Sequence, residues 1–215
     1  DDAIINTTGI DELWRKQRNL DFKTTILEGY LAIELFPTML FSRNSEYEPR
    51  LRPYVMGGVG VFHFNPQGSL TDAAGNKTWY YLHPLRLEGQ GMPEYPASKP
   101  YKLTQMNIPF GGGLKFFMSD RINVSLEFLY RKTFTDYIDD VSQRYIDVNY
   151  YNKYLTPQEA NLAYRLSDKA KGIIWPGMTR YPAGSQRGDL KDYDTYFSLV
   201  MKAGIRLGPI YESAF

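Results

Sequence analysis

Three carboxylates lie close together in the segment TDYIDD at 135–140, where they could do metal chemistry. Asp136, Asp139 and Asp140 could supply the oxygen ligands that Ca²⁺ prefers. The segment lacks the spacing and the central glycine of an EF-hand loop. The alternative is a loop in which aspartate side chains accept hydrogen bonds from backbone N–H groups. We predict no bound metal ion, and Asp136, Asp139 and Asp140 are the candidate ligands should one bind.

The other chemistry-bearing residues form no recognisable catalytic set. The chain has no cysteine and only two histidines, His63 and His83, so disulfides, thiol catalysis and a histidine zinc site have no support. The glycine-containing segments at 88–91 and 111–113 open no predicted helix, as nucleotide-binding loops must. We therefore predict neither enzyme activity nor a cofactor.

The composition points to a surface that is partly apolar. The chain has 215 residues, with 25 Lys and Arg against 24 Asp and Glu, and a net charge of +1. This balance argues against nucleic acid as a partner. The 18 Tyr, 12 Phe and 3 Trp are unusually many, and such residues are enriched where one end of a side chain is wet and the other is not.

Five segments alternate apolar and polar residues with a period of two, which predicts strands with two different faces. They span 25–36, 53–64, 103–117, 121–131 and 193–207, or 11 to 15 residues each. Strands in soluble domains are usually about 5–6 residues long, whereas about 9–11 residues cross a bilayer. The length therefore favours membrane-crossing strands.

The polar faces of these segments carry glycines and charges of both signs. We expect these charges to face a narrow barrel lumen, where unpaired charge is costly, and the apolar faces to contact lipid. At least two cross-strand ion pairs should form, with Glu127–Lys115 as the first choice. A soluble β-sandwich or lipocalin-like barrel is the alternative. The predicted lumen network comprises Glu28, Glu34, Lys115, Glu127, Arg131, Lys202 and Arg206.

The connections between the segments alternate in size, as in outer-membrane barrels with short periplasmic turns and long outer loops. Segments 65–102 and 132–192 are long, whereas 37–52 is moderate and 118–120 is a tight turn. Five strands do not close a barrel, for which about eight are usual. We therefore expect about three further N-terminal strands outside this sequence, in one antiparallel up-and-down transmembrane β-barrel domain that includes 1–215.

The long outer loops are predicted to contain one short helix. The residues Thr156, Pro157 and Glu159 match a capping box with proline at the first helical position. The helix should run to about Ala170, with Gly172 as its terminator. Aromatic residues near the strand ends, among them Phe62, Phe64 and Phe116, would form interfacial girdles.

Several longer motifs resemble the PorG-like outer-membrane β-barrels of Bacteroidota, in chain order over about 18–207. They are RNLDFK at 18–23, RPYVMGGVGVFHFNP at 52–66, PLRLEGQG at 84–91, IPFGGGLK at 108–115 and EFLYRKTFTDYIDDVS at 127–142. The resemblance implies an outer-membrane component of the type IX secretion and gliding motility machinery. Such a barrel would tie the periplasmic PorK–PorN ring to the outer membrane. The family has many paralogues, so its fold carries over more safely than its role.

Two functions stay open on these grounds. The first is a structural anchor whose partners are outer-membrane lipid and periplasmic ring proteins, and whose lumen is filled by its own charge pairs. The second is a small barrel with a ligand-binding or passive-channel role. The moderate connection, on the expected periplasmic side, supplies the candidate partner contacts Arg43, Glu46, Glu48, Arg50 and Arg52.

Overall fold

The computed structural model describes residues 18–38, 49–170, 179–188 and 192–207. Within these ranges the chain forms two compact units whose segments alternate along the sequence. The sheet unit covers Glu28–Phe62, Gln105–Phe134 and Thr195–Phe215, and the loop unit covers the segments before, between and after them. The single domain over 1–215 stays a prediction. The division into two units does not test it, because the long loops of one domain can themselves form a compact unit.

The described chain is mostly antiparallel β-sheet with few helices, which confirms the all-β prediction. The strands are β1 (Leu27–Leu35), β2 (Leu51–His63), β3 (Gln67–Thr71), β4 (Lys77–Tyr81), β5 (Thr104–Phe117), β6 (Ile122–Thr133) and β7 (Thr195–Ile205). One sheet has the order β1-β2-β5-β6-β7, and β3 and β4 form a separate hairpin. The five long strands agree with the predicted segments to within two residues at each end.

One face of the five-stranded sheet is apolar and exposed. Leu31 on β1 is 80% exposed and Met201 on β7 is 81% exposed, and most residues between them on this face are large and apolar. Burying such a face is worth about 25 cal/mol per Å² of apolar surface. In water this face would therefore be a large unfavourable surface, of a size that marks contact with another apolar phase or partner.

The opposite face is concave, because residues of distant strands touch across it. The ring centroids of Phe62 on β2 and Tyr196 on β7 lie 5.7 Å apart, although β5 and β6 lie between these strands. In a flat sheet the two strands would be about 14 Å apart, with their side chains perpendicular to the sheet. The sheet is therefore curled, and we call its inner side the concave face and its outer side the convex face.

Two of the strands keep an edge without a partner strand among the described residues. These edges are β1 and β7, which stand at the ends of the sheet order. The concave face of β2 is not polar as expected, because the aromatic side chains Tyr54 and Phe62 are buried there. Phe64 is likewise fully buried, so Phe62 and Phe64 are not part of an exposed aromatic girdle.

The loop unit has its own hydrophobic core beneath the β3–β4 hairpin. Helices α1 (Asn149–Tyr154) and α2 (Pro157–Ser167) and a 3₁₀ turn (His83–Leu85) surround it. The core residues are apolar and nearly inaccessible: Leu82, Leu85, Leu87, Met92, Ile146, Tyr151, Ala160, Ala163 and Leu166. No helix in the described ranges is both long and apolar enough to cross a membrane.

Helix α2 begins where the capping box predicts. The Thr156 hydroxyl accepts a hydrogen bond from the Glu159 backbone N–H, and the Glu159 carboxylate accepts one from the Thr156 N–H. The expectation of one helix ending near Ala170 is wrong in two respects. The helix ends at Ser167, with Asp168 in an extended conformation, and α1 is a second helix. Gly172 lies outside the described residues.

Replacing the capping threonine should destabilise the loop unit. In Thr156→Ala the first turn of α2 loses its side-chain acceptor, which we expect to lower the free energy of unfolding by about 1 kcal/mol. Urea unfolding followed by circular dichroism measures this loss. Thr156→Ser keeps the acceptor and should lose much less, and equal losses in the two variants would contradict the capping role.

Candidate functional site

Three ion pairs lie on the concave face. Two join strands that are not neighbours, and the third joins diagonally opposite residues of neighbouring strands. Arg131 on β6 contacts Glu28 on β1 at 3.0 Å, and Lys115 on β5 contacts Glu34 on β1 at 2.8 Å. Lys202 on β7 contacts the fully buried Glu127 on β6 at 2.6 Å. Each pair is neutral, so the curled sheet holds six charged groups without a net charge.

Arg131 is the most highly connected of these side chains. Its guanidinium donates to both Glu28 carboxylate oxygens, at 3.0 to 3.3 Å. It also donates to the Leu129 carbonyl at 2.8 Å and to the Ser198 hydroxyl at 2.5 Å. Asn107 adds hydrogen bonds to Glu28 at 2.8 Å and to the Tyr196 hydroxyl at 2.9 Å. Charge-assisted bonds of this kind are the strongest in a protein.

The expected pair Glu127–Lys115 is wrong, because Lys115 pairs with Glu34 on β1 and Glu127 pairs with Lys202. Glu127 lies opposite Gly113, and Lys115 lies opposite Ser125. Lys202, which also lies opposite Ser125 on the other side of β6, pairs with Glu127 instead. The second oxygen of Glu127 accepts a hydrogen bond from the Tyr54 hydroxyl at 2.7 Å.

Glycines leave the space that this network occupies. A Cβ atom at Gly60 would lie 2.3 Å from the Asn107 side-chain oxygen, and one at Gly113 would lie 2.8 Å from the Tyr54 hydroxyl. Real Cβ contacts are essentially never shorter than 3.0 Å. The glycines on the concave face are therefore a packing requirement, as the sequence pattern indicated.

The remaining predicted charges lie elsewhere. Arg206 is exposed and follows the last residue of β7, and it takes no part in the three pairs. Arg52 donates to the Pro49 carbonyl at 3.0 Å and stacks over the Phe117 ring, whereas Arg50 is exposed. Arg43, Glu46 and Glu48 lie outside the described residues, so they stay predicted partner contacts, as do Arg50 and Arg52.

The aspartates at 136–140 belong to the loop unit. Asp139 accepts a hydrogen bond from the Val141 N–H at 2.9 Å, and Asp140 accepts one from the Tyr101 hydroxyl at 2.7 Å. The Asp139 contact is the one expected of the loop alternative, whereas Asp140 accepts from a side chain. In the part of the chain that the structure describes, no three His, Cys, Asp or Glu side chains are grouped so that they could hold a metal ion.

A buried ion pair that the sequence did not reveal organises the same loops. Arg187 and Glu88 are each 1% exposed, and their charged atoms lie 2.7 Å apart. Arg187 also donates to the Asp140 carbonyl at 2.5 Å, while Glu88 accepts from the backbone N–H groups of Ser142 and Gln143. The partners are 99 positions apart in the sequence, so no local pattern predicts them.

Burial of these acids shifts their proton affinity. It raises the pKa of Asp139 to about 8, with a further increase from the nearby Asp194 carboxylate. It raises the pKa of Asp140 to about 7, although the Arg187 charge opposes this shift. Burial also raises the pKa of Glu88 above its ordinary value, against the opposing effect of Arg187. Burial therefore favours the protonated, uncharged form of these acids.

A cavity of about 260 Å³ opens beside this cluster in the loop unit. Its wall combines a buried acid, an aromatic ring and polar groups. The lining residues are Glu88, Glu94, Tyr95, Pro96, Ala97, Ser98, Gln143, Arg144 and Ile146. The Ser98 hydroxyl is buried and has no hydrogen-bond partner in the described chain, which suits a small polar molecule or water.

Removing one member of the Arg131–Glu28 pair should destabilise the protein more than removing both members. Arg131→Gln leaves the Glu28 carboxylate buried without its counter-charge, which we expect to lower the free energy of unfolding by about 3 kcal/mol. The double variant Arg131→Gln/Glu28→Gln should recover part of this loss. Lys115→Gln serves as a control. Its partner Glu34 is more exposed than Glu28, so losing this pair should lower the free energy of unfolding by less than about 1 kcal/mol. Denaturant titration in detergent measures these variants together with Glu28→Gln, and a double-variant loss equal to the sum of the Arg131→Gln and Glu28→Gln losses would contradict the pairing.

The loop unit should lose stability as the pH rises. Asp139 and Asp140 have folded-state pKa values above their ordinary 3.8, so the unfolded chain releases their protons first. The two aspartates lower the free energy of unfolding least below about pH 4. This destabilisation grows as the pH rises to about 8. The variant Asp139→Asn/Asp140→Asn should flatten this decline in melting temperature between about pH 5 and about pH 9. An unchanged slope would contradict the assignment.

No known protein family, characterised protein or solved structure matches the chain. The resemblance to PorG-like barrels therefore stays a prediction from the motifs. What the geometry provides is a curled sheet with a charged concave face and an exposed apolar convex face.

Proposed function

We propose that the five-stranded sheet is part of an outer-membrane β-barrel that anchors the periplasmic PorK–PorN ring of the type IX secretion and gliding machinery. The observation that carries the membrane part is the inverted polarity of the sheet. The convex face exposes Leu31, Leu199 and Met201, while the concave face buries Glu127 and Arg131. A soluble sheet buries the apolar face instead.

The edges of the sheet support a barrel. Each unpaired backbone group in lipid costs several kcal/mol, so open strand edges do not occur there. The edges β1 and β7 would pair with further strands, about three of them if the barrel has the usual minimum of eight. The curl brings side chains of β1 and β6 into contact, which is the curvature that closure requires.

The anchoring role rests on the motif resemblance, and it implies a structural protein without enzyme activity. The concave face is filled by side chains that neutralise one another, which suits a plugged lumen. The ring would contact the end of the sheet at the β1–β2 connection, where Arg50 directly precedes β2 and Arg52 is the second residue of that strand.

The cavity in the loop unit favours the alternative of a barrel that binds a small ligand. Its wall, which includes Glu88, Tyr95 and Arg144, lies wholly in the long connections. A channel role has no such support, and steady conductance of the purified protein in planar bilayers would overturn the plugged lumen.

A lysine in the middle of the convex face tests the membrane assignment. Leu199→Lys on β7 should prevent membrane insertion, because a lysine at the bilayer midplane costs about 2–4 kcal/mol in a barrel. Leu207→Lys, just beyond the strand end, is the matched control and should cost less than about 1 kcal/mol. Cell fractionation and flotation measure insertion. A soluble, folded Leu199→Lys protein, equal in yield to the wild type, would contradict the assignment.

Copurification tests the anchoring role. The tagged protein, extracted in detergent, should bring down periplasmic ring proteins, and Arg50→Glu should weaken this association because it reverses a predicted contact. Lys99→Glu changes the charge by the same amount on an exposed site of the loop unit and should leave the association unchanged. Recovery of the barrel without any ring protein would remove the basis for an anchor.

A further inference from the structure

The concave side of the sheet is strongly basic at one end, where β2 and β6 begin and β5 and β7 finish. Backbone hydrogen bonds continue the ladder just past the strand ends there, from the Phe117 N–H to the Arg50 carbonyl and from the Arg206 N–H to the Arg121 carbonyl, each at 2.8 Å. The alternation of faces therefore extends to these arginines. It places the following cations on the concave side: Arg50, Arg52, Lys115, Arg121, Lys202 and Arg206.

The acids on the concave side of this end already have partners. In the described part of the chain these acids are Glu34, which pairs with Lys115, and Glu127, which pairs with Lys202. Both lysine charges are thereby used within the sheet. The charges that remain to be neutralised belong to arginines.

Three of these arginines form no ion pair with a described residue. Arg50, Arg121 and Arg206 are all exposed, and we call them together the basic end. Asp120, in the tight turn beside Arg121, is also exposed and forms no ion pair with a described residue. The basic end therefore carries an excess of positive charge that the described sheet does not balance.

The curl of the sheet makes this excess unfavourable. Arg121 and Arg206 lie opposite each other on neighbouring strands, and like charges opposite each other in a ladder are destabilising. A concave surface lined by one sign of charge also focuses its electric field and attracts ions of the other sign. The basic end is thus built to hold an anion.

The position of the basic end narrows the kind of anion. It lies on the concave side, opposite to the exposed apolar face, so a lipid surface against that apolar face would not meet these arginines. A single phosphate group carries at most about two negative charges, which is fewer than the basic end offers. The anion should therefore carry several charges.

The aromatic rings at this end argue against nucleic acid. The Arg52 guanidinium lies 4.5 Å from the Phe117 ring centroid, and the Lys115 ammonium lies 5.0 Å from that of Phe36. Proteins that bind single strands use free aromatic rings to stack bases, whereas these rings already carry cations of the chain itself. An extended acidic peptide needs no such ring, and its carboxylates recur about every 7 Å on one face.

We propose that the basic end binds an acidic segment of a protein partner, whose carboxylates pair with Arg50, Arg121 and Arg206. Guanidinium groups suit this role because they can donate two parallel hydrogen bonds to one carboxylate. The inference rests on the proposed function for the side on which the partner lies, since the β1–β2 connection borders the same end. It adds the chemistry of the contact, which is a row of carboxylates entering the concave side of the sheet.

Binding of a fluorescein-labelled hexaglutamate peptide to the purified, full-length chain in non-ionic detergent tests the proposal. We expect fluorescence anisotropy to show binding at low salt that weakens as the salt concentration rises, because exposed charges are screened. Arg121→Gln/Arg206→Gln should weaken the binding about tenfold, since two exposed ion pairs are lost. Arg121→Lys/Arg206→Lys keeps the charge and should retain most of the affinity.

A control of equal charge change separates the basic end from the overall charge of the protein. Lys99→Gln/Arg165→Gln removes two exposed cations of the loop unit and should bind hexaglutamate as the wild type does. Wild-type affinity in Arg121→Gln/Arg206→Gln would overturn the proposal. Displacement of the peptide by inorganic phosphate at an equal concentration would show a site for small anions, and equal affinity for an oligothymidylate of the same charge would show a nucleic-acid site; either result overturns it.

Two further outcomes separate the acidic segment from the chain's own acids and from the anchoring role. Hexaglutamate that binds only to Glu46→Gln/Glu48→Gln would show that acids of the β1–β2 connection occupy the basic end, and the proposal would be wrong. Ring proteins that copurify equally with Arg121→Gln/Arg206→Gln and the wild type would overturn this site but not the anchor. Hexaglutamate binding without any copurifying ring protein would overturn the anchor and support the site.

Discussion

The pairing of charges on the concave face is the constraint on which the sheet depends. A curled sheet with Glu28, Glu127 and Arg131 inside would be unstable if any of these charges lacked a partner, because desolvating a lone ion costs several kcal/mol. Two of the three pairs cross the sheet, since β1 meets β6 and β5 meets β1. The same contacts that neutralise the charges therefore also hold the curvature.

The apolar convex face follows from this arrangement. Once the polar residues of the alternating strands occupy the concave face, the apolar ones must point outward, because successive side chains alternate across a strand. The resulting surface has no covering element in the sheet unit, and its residues are among the most exposed of the chain. The bilayer that we propose as its surroundings would supply an apolar phase for such a surface.

The loop unit also contains a buried ion pair, but it has a hydrophobic core of its own. Its core is an ordinary cluster of Leu, Met, Tyr and Ala side chains, and its long connections are fastened by one buried arginine, Arg187. That guanidinium ties Glu88 and the Asp140 carbonyl together. Burial raises the pKa values of Asp139 and Asp140, which makes this unit sensitive to alkaline pH.

The sequence by itself determined the five long strands, their two-faced character and the start of helix α2, because periodicity and capping are local properties. It also placed charges such as Glu28 and Lys202 on one face, since alternation needs no knowledge of neighbouring strands. Only the tertiary structure decided which charges pair, because the curl brings Lys115 to Glu34 and Arg131 to Glu28, while Lys202 pairs with Glu127. Glu88–Arg187 likewise joins residues far apart in the chain, which no local pattern can bring together.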